Sequence, residues 1–168
     1  THAMTSYTGA VKNLFGVIPG THKAELHFRL DDREAFCSML VDLCECVKPA
    51  LSIMDAIVGM EGDGPTAGQN RFIGLTLASA NPHALDMAAC RIIGYKPEEI
   101  LTVREGISRG LVSENTLKIL GEQIQNVAIP DFKKPESHFN LLKLLSLPPS
   151  LNEKLKNILS AEPKVHSL

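Results

Sequence analysis

A nearly unbroken apolar run at residues 72–80, followed at once by Asn81 and Pro82, constrains this chain more than any other feature. A run of that length and apolarity predicts a strand covered on both faces, as in a parallel sheet. Asn81 offers a side-chain oxygen to cap a helix, and Pro82 suits a first helical turn. Ala84, Leu85, Ala88, Ala89, Ile92 and Ile93 then recur at a spacing that lines one helical face. Strand, turn and helix joined by so few residues predict an α/β fold, with a mixed or mostly parallel sheet flanked by helices.

Asp31 and Asp32 signal a second helix over 33–47, with Phe36, Met39, Leu40, Leu43 and Val47 on its buried side. Lys48 and Pro49 stop it, and 51–58 reads as a strand interrupted by Asp55. The opening TGAVKNLFGVIPGTHKAELHFR reads as small residues and an apolar turn with two glycine breaks. Gly94 ends the helix that starts at Pro82, short helical turns follow at 96–100 and 102–109, and 117–120 reads as a last short strand. Pro130, Pro135, Pro148 and Pro149 set off two expected helices, 137–146 and 151–159, so the C-terminal region is expected to be helical. The chain divides into a tag remnant or flexible N-terminus at 1–8, an α/β core at 9–128, and a helical extension and linker at 129–168.

With 168 residues, 44% hydrophobic and 21% charged, the chain can bury one core. A formal net charge of -2 gives no electrostatic reason to bind nucleic acid or an anionic membrane. No segment has the length of a membrane span and the start lacks a secretory pattern, so a cytoplasmic setting is expected. Cys37, Cys44, Cys46 and Cys90 form no CxxC framework and are expected as buried, reduced thiols.

The segment IMDAIVGMEGDGPTAGQNR at 53–71 sets Asp55, Glu61 and Asp63 around a glycine-rich turn after an apolar run. Such carboxylates can take a hard divalent cation, orient a substrate, or cap turns through backbone N–H groups. Gly62, Gly64 and Gly68 suit a tight turn, with Pro65 restricting the loop. Lys12 and Asn13 lie beside Gly9 and Gly16, where a cation, an amide and backbone N–H groups can form an anion-binding loop. A solvated lysine and a turn-forming asparagine are the bland alternative. His22 and His27 are each a base, a ligand or an ordinary packed histidine. Asp86, within a small apolar helix, must face water or find a partner.

GAVKNLFGVIPGTHKAELHF at 9–28, MDAIVGMEGDGPTAG at 54–68 and NPHALDMAACRIIGY at 81–95 together resemble the DUF362 family, often described as iron-sulfur cluster-binding proteins of uncharacterised function. The resemblance implies an α/β core, followed in many members by a ferredoxin-like module with two CxxCxxCxxxCP runs. That module is missing here, and its cysteines cannot be carried over. The resemblance therefore implies a fragment of the core, with 4Fe-4S clusters in absent parts of the parent and a ferredoxin-like module or other redox partner. It carries over Lys12, Asn13, Lys23, His27, Asp55, Glu61, Asp63 and Asp86, without assigning a reaction to any of them.

Two readings follow. In one, the core of a redox-associated protein holds a divalent cation or polar ligand through Asp55, Glu61 and Asp63, while Lys12 or Lys23 neutralises an anion. In the other, the domain is a noncatalytic scaffold completed by missing parts of the parent.

Overall fold

The computed structural model describes residues 1–136 apart from Ala3 and Asp31, together with Glu153. Its sheet is a hairpin of β1 (Ser52–Asp63) and β2 (Ala67–Ser79), paired antiparallel. The α/β architecture with helices flanking a small sheet holds, whereas the mixed or mostly parallel pairing is corrected. Both strands run on into the glycine-rich segment, so residues 64–66 alone connect them. A parallel pairing needs a crossover of about a dozen residues or more. Gly62, at φ +76°, and a cis Gly64–Pro65 bond shape the turn, as the glycine and proline content suggested.

The second correction concerns coverage. Along β2, Ile73, Leu75 and Leu77 pack inward against the core, while Phe72 points out and is 73% exposed. The run is continuous in sequence but one-sided in space, because antiparallel hairpins can leave one face to solvent. The ladder shifts between Ala56 and Val58, where Ile73 and Gly74 oppose the single Ile57. Gly74 takes φ +76°, a conformation that suits glycine. The shift changes which residues of β1 turn inward: Met54 and Ala56 before it, Gly59 and Glu61 after it.

Among residues 1–136, six helices surround or follow the hairpin: α1 (Ala10–Asn13), α2 (Gly20–Arg29), α3 (Arg33–Val47), α4 (Pro82–Ile92), α5 (Leu101–Ser108) and α6 (Ile124–Val127). α3 starts as the sequence indicates, with the Asp32 carboxylate accepting from the Ala35 N–H at 2.8 Å, and ends at Lys48 in a left-handed conformation. Asn81 caps α4 by accepting from the N–H groups of His83 and Ala84, and Gly94 at φ +75° follows its end. Short 3-10 turns at Pro97–Glu99 and Glu114–Thr116 flank α5.

α2 is not foreshadowed by the sequence, because its apolar positions are few and none of its residues is fully buried. Leu26 nonetheless packs against the cluster around Phe15 and Phe36, and that contact holds the helix in place. The strand expected at 117–120 does not form: Leu117 packs on the core, but the segment makes no ladder with β2. After α4 the regular elements among the described residues are helical. The expected helices 137–146 and 151–159 lie outside them, save Glu153, which is helical.

α4 is the centre of the molecule. Nine of its eleven residues are buried, including His83 and Asp86. Its Met87, Ala89, Cys90 and Ile92 join Tyr7, Ile100, Val103 and Phe132 in a cluster backed by the inner hairpin face. A second cluster gathers Met4, Val11, Phe15, Phe36, Leu40, Val41 and Cys44 from α1, α3 and the N-terminal segment. A helix buried almost all round is the product of sandwiching between these two clusters. Thr1 lies at the hairpin, where its ammonium group donates to the Met60 carbonyl at 2.7 Å.

Candidate functional site

Asp86 is 1% exposed and sits where the loop at Gly9 turns into α1. Its carboxylate accepts from the backbone N–H of Ala10 at 2.6 Å and of Val11 at 3.0 Å, with the Tyr7 hydroxyl at 3.5 Å. The backbone N–H groups of the Gly9 loop thus face the protein's own Asp86 carboxyl group. A Cβ on Gly9 would overlap both Asp86 Oδ1 and the Tyr7 ring, so glycine is required for this approach. Burial pushes Asp86 up to about 7 against the opposing pull of its N–H donors. Asn13, at the end of α1, is exposed and its side chain makes no cap bond.

The three loop carboxylates do not come together. Asp55 lies on the outer face and accepts from the Ile57 N–H at 2.9 Å, satisfying the group left over at the ladder shift. Glu61, only 4% exposed, turns inward and accepts from the Lys133 N–H at 3.1 Å. Asp63 accepts from the Glu136 N–H at 2.8 Å. Glu61 and Asp63 therefore strap the segment at 133–136 onto the hairpin tip. Sequence spacing puts Asp55 and Glu61 on the same face, and the register shift separates them. A groove of about 880 Å³ between β2, α4 and residues 110–127 contains none of Lys12, Glu61 and Asp86. A pocket of about 130 Å³ under the hairpin borders Asp55 alone among the candidate residues.

Lys12, Lys23 and His27 do converge. His27 stacks on Phe36 with ring centroids 4.7 Å apart and meets the edge of Phe15 at 5.5 Å. The Lys23 ammonium lies 5.8 Å from the centre of the same Phe15 ring. Lys12 precedes Phe15 by three residues on a continuous helical path, and its charge reaches both Lys23 and His27. Burial first, and the charge of Lys12 second, lower the pKa of His27. His22 is exposed and lies 3.8 Å from Glu25.

A grouping absent from the sequence reading joins α3 to α4. Cys44 and Glu45 are adjacent near the end of α3, and His83 stands in the first turn of α4. Each offers one donor atom, and the three atoms lie within 4.8 Å of one another. Cys44 is fully buried, His83 is 2% exposed, and His83 Nε2 lies 3.0 Å from Glu45 Oε1. His83 Nδ1 is buried with no hydrogen-bond partner among the described residues. Burial, then the charges of Glu45 and Asp86, push the Cys44 thiol up to about 11. No local spacing announces this group, because Cys44 and His83 come from different helices. The one sequence signal was the Asn81–Pro82 helix start, which fixes His83 in a first turn pointing inward.

A thiolate, an imidazole and a carboxylate make a mixed S, N and O donor set that suits zinc or iron(II). It does not make an iron-sulfur cluster site, for which four thiolates are the usual requirement. All four cysteines are free; Cys37, Cys44 and Cys90 are buried as expected, and Cys46 is exposed. No helix among the described residues is long and apolar enough to cross a membrane.

Comparison with known proteins gives one curated relative. The chain is 41% identical over 103 residues to the thylakoid-associated protein sll1697 of Synechocystis sp. (strain ATCC 27184 / PCC 6803 / Kazusa). The match covers 61% of this chain and 32% of that protein, so the chain spans about a third of the relative's length. No solved structure matches. The family model described as Domain of unknown function (DUF362) matches residues 1–91, more than half of the chain and all of it from Thr1 through the hairpin into α4, and the chain therefore belongs to the DUF362 family.

Proposed function

We propose that this domain is a metal-binding module that holds a divalent transition cation, zinc or iron(II), between α3 and α4. Cys44, Glu45 and His83 are the ligands. The observation that carries this reading is the gathering of three donor atoms from two helices, two of them on the buried side chains of Cys44 and His83. A bound cation would polarise whatever occupies its remaining coordination position. Cys44 must release its proton on binding, so metal uptake is coupled to proton loss.

Titration of the apo-protein with cobalt(II), followed by its thiolate charge-transfer absorption, tests the site. Saturable binding is expected, abolished by Cys44→Ser and weakened at least tenfold by His83→Ala. Glu61→Gln should leave it unchanged. Binding lost in Glu61→Gln and retained in Cys44→Ser would instead locate the cation at the carboxylate-rich loop with Asp55 and Asp63. An iron-sulfur association belongs in this reading to a longer polypeptide or a ferredoxin-like redox partner, since this chain's thiols do not gather.

A second reading, a scaffold completed by other segments of a longer protein, is favoured by the outer face of the hairpin. Ile53, Val58 and Phe72 are 67%, 55% and 73% exposed there, and neither strand has a further strand beside it among the described residues. Replacing Ile53 and Phe72 together with threonine should reduce self-association of the isolated chain in sedimentation while changing its stability by less than about 1 kcal/mol. A large loss of stability would show that this face already packs within the chain.

A further inference from the structure

The lysines around Phe15 have no carboxylate partner among the described residues. Neither Lys12 nor Lys23 has a carboxylate within 4.0 Å among the described residues, although nine other basic–acidic pairs meet that distance. The nearest acid in sequence, Glu25, lies 2.8 Å from Arg29 and 3.8 Å from His22. Lys12 and Lys23 are both partly buried, and His27 Nδ1 is buried without a hydrogen-bond partner among the described residues. Placing two partly buried lysines near an imidazole is unfavourable unless an anion offsets the repulsion.

From the meeting of Lys23 and His27 on the Phe15 ring, with Lys12 one helical turn before it, we propose that this surface binds a phosphate-class oxyanion, free or carried on a small organic molecule. Two ammonium groups supply the charge of a dianion, and protonated His27 supplies an N–H donor. Phe15 and Phe36 hold the imidazole by stacking, so its donor is oriented before the ligand arrives. The site shares no residue with Cys44, Glu45 and His83 and does not depend on a metal there. The burial of Lys12 and His27, which lowers both pKa values in the free protein, gives the ligand a spectroscopic signature: a bound anion must raise them.

Inorganic phosphate and phenyl phosphate, titrated into the protein at low ionic strength, test the proposal through the histidine 1H–15N correlations and by calorimetry. Saturable binding is expected, with His27 moving to a higher pKa and His83 unaffected. Lys12→Gln should weaken binding at least tenfold, and Lys23→Gln should weaken it less, with unchanged circular dichroism. Phenyl phosphate binding at these same residues would extend the site to organic phosphates. Matched sodium chloride should not reproduce the His27 shift. Linear, non-saturating shifts, or binding that persists in the folded Lys12→Gln Lys23→Gln double variant, would overturn it.

Discussion

Gly9→Ala should lower the unfolding free energy by about 3 kcal/mol or more, seen as a lower urea midpoint with an unchanged slope. The added methyl has nowhere to go, since Asp86 Oδ1 and the Tyr7 ring occupy its place. Neither can step aside, because Tyr7 is 5% and Asp86 1% exposed. Moving Asp86 would also strip the N–H groups of Ala10 and Val11 of their acceptor, and each buried donor so orphaned costs about 1–3 kcal/mol. Gly16→Ala is the control: no atom lies within 4 Å of its Cβ position and its φ is not positive, so it should be neutral within about 1 kcal/mol. Equal effects at the two glycines would refute the close-approach account.

Asp86 should also make the protein lose stability as the pH rises from about 4 to about 7. An unfolded aspartate titrates near about 3.9. In the folded protein burial raises Asp86 to about 7, although the N–H donors of Val11 and Ala10 pull the other way. Between these values the folded state keeps a proton that the unfolded chain has released. Its contribution is therefore fully present below about pH 4, falls through the interval, and is flat above about 7. The loss should be of the order of a few kcal/mol. Urea midpoints measured across this range should slope downward more steeply in the wild type than in Asp86→Asn, which cannot titrate. Asp86→Asn should itself be less stable above about pH 7, where the wild-type carboxylate offers two acceptor oxygens and the amide only one. Parallel slopes would mean that the carboxylate stays ionised in the fold.

The local signals in this sequence were read correctly where a short stretch decides the outcome. The α3 start at Asp32, the α4 start at Asn81–Pro82, the stop at Gly94 and the turn at Gly62–Pro65 each depend on a few adjacent backbone groups, which a capping side chain or a permitted φ satisfies. The family blocks were legible for the same reason. Strand direction and two-sided coverage failed because the apolar run at 72–80 does not carry the identity of the neighbouring strand. That is settled by how few residues, 64–66, connect the strands. α2 failed because its helix is stabilised by Leu26 meeting Phe15 and Phe36, and propensity alone does not reveal that contact.

The candidate residues divide along the same line. The sequence by itself determined which side chains carry charge or donor atoms, and that Asp86, placed among small apolar residues, would need a partner. Only the tertiary structure decided which of them meet. One shifted register turned Asp55 outward and Glu61 inward, two helices brought Cys44 and Glu45 to His83, and Phe15 drew Lys23 and His27 together. Capping and turn formation act over a few residues, and so are written locally. The meeting of groups tens of residues apart depends on how α4 is sandwiched between two apolar clusters, a balance that no single stretch of the chain contains.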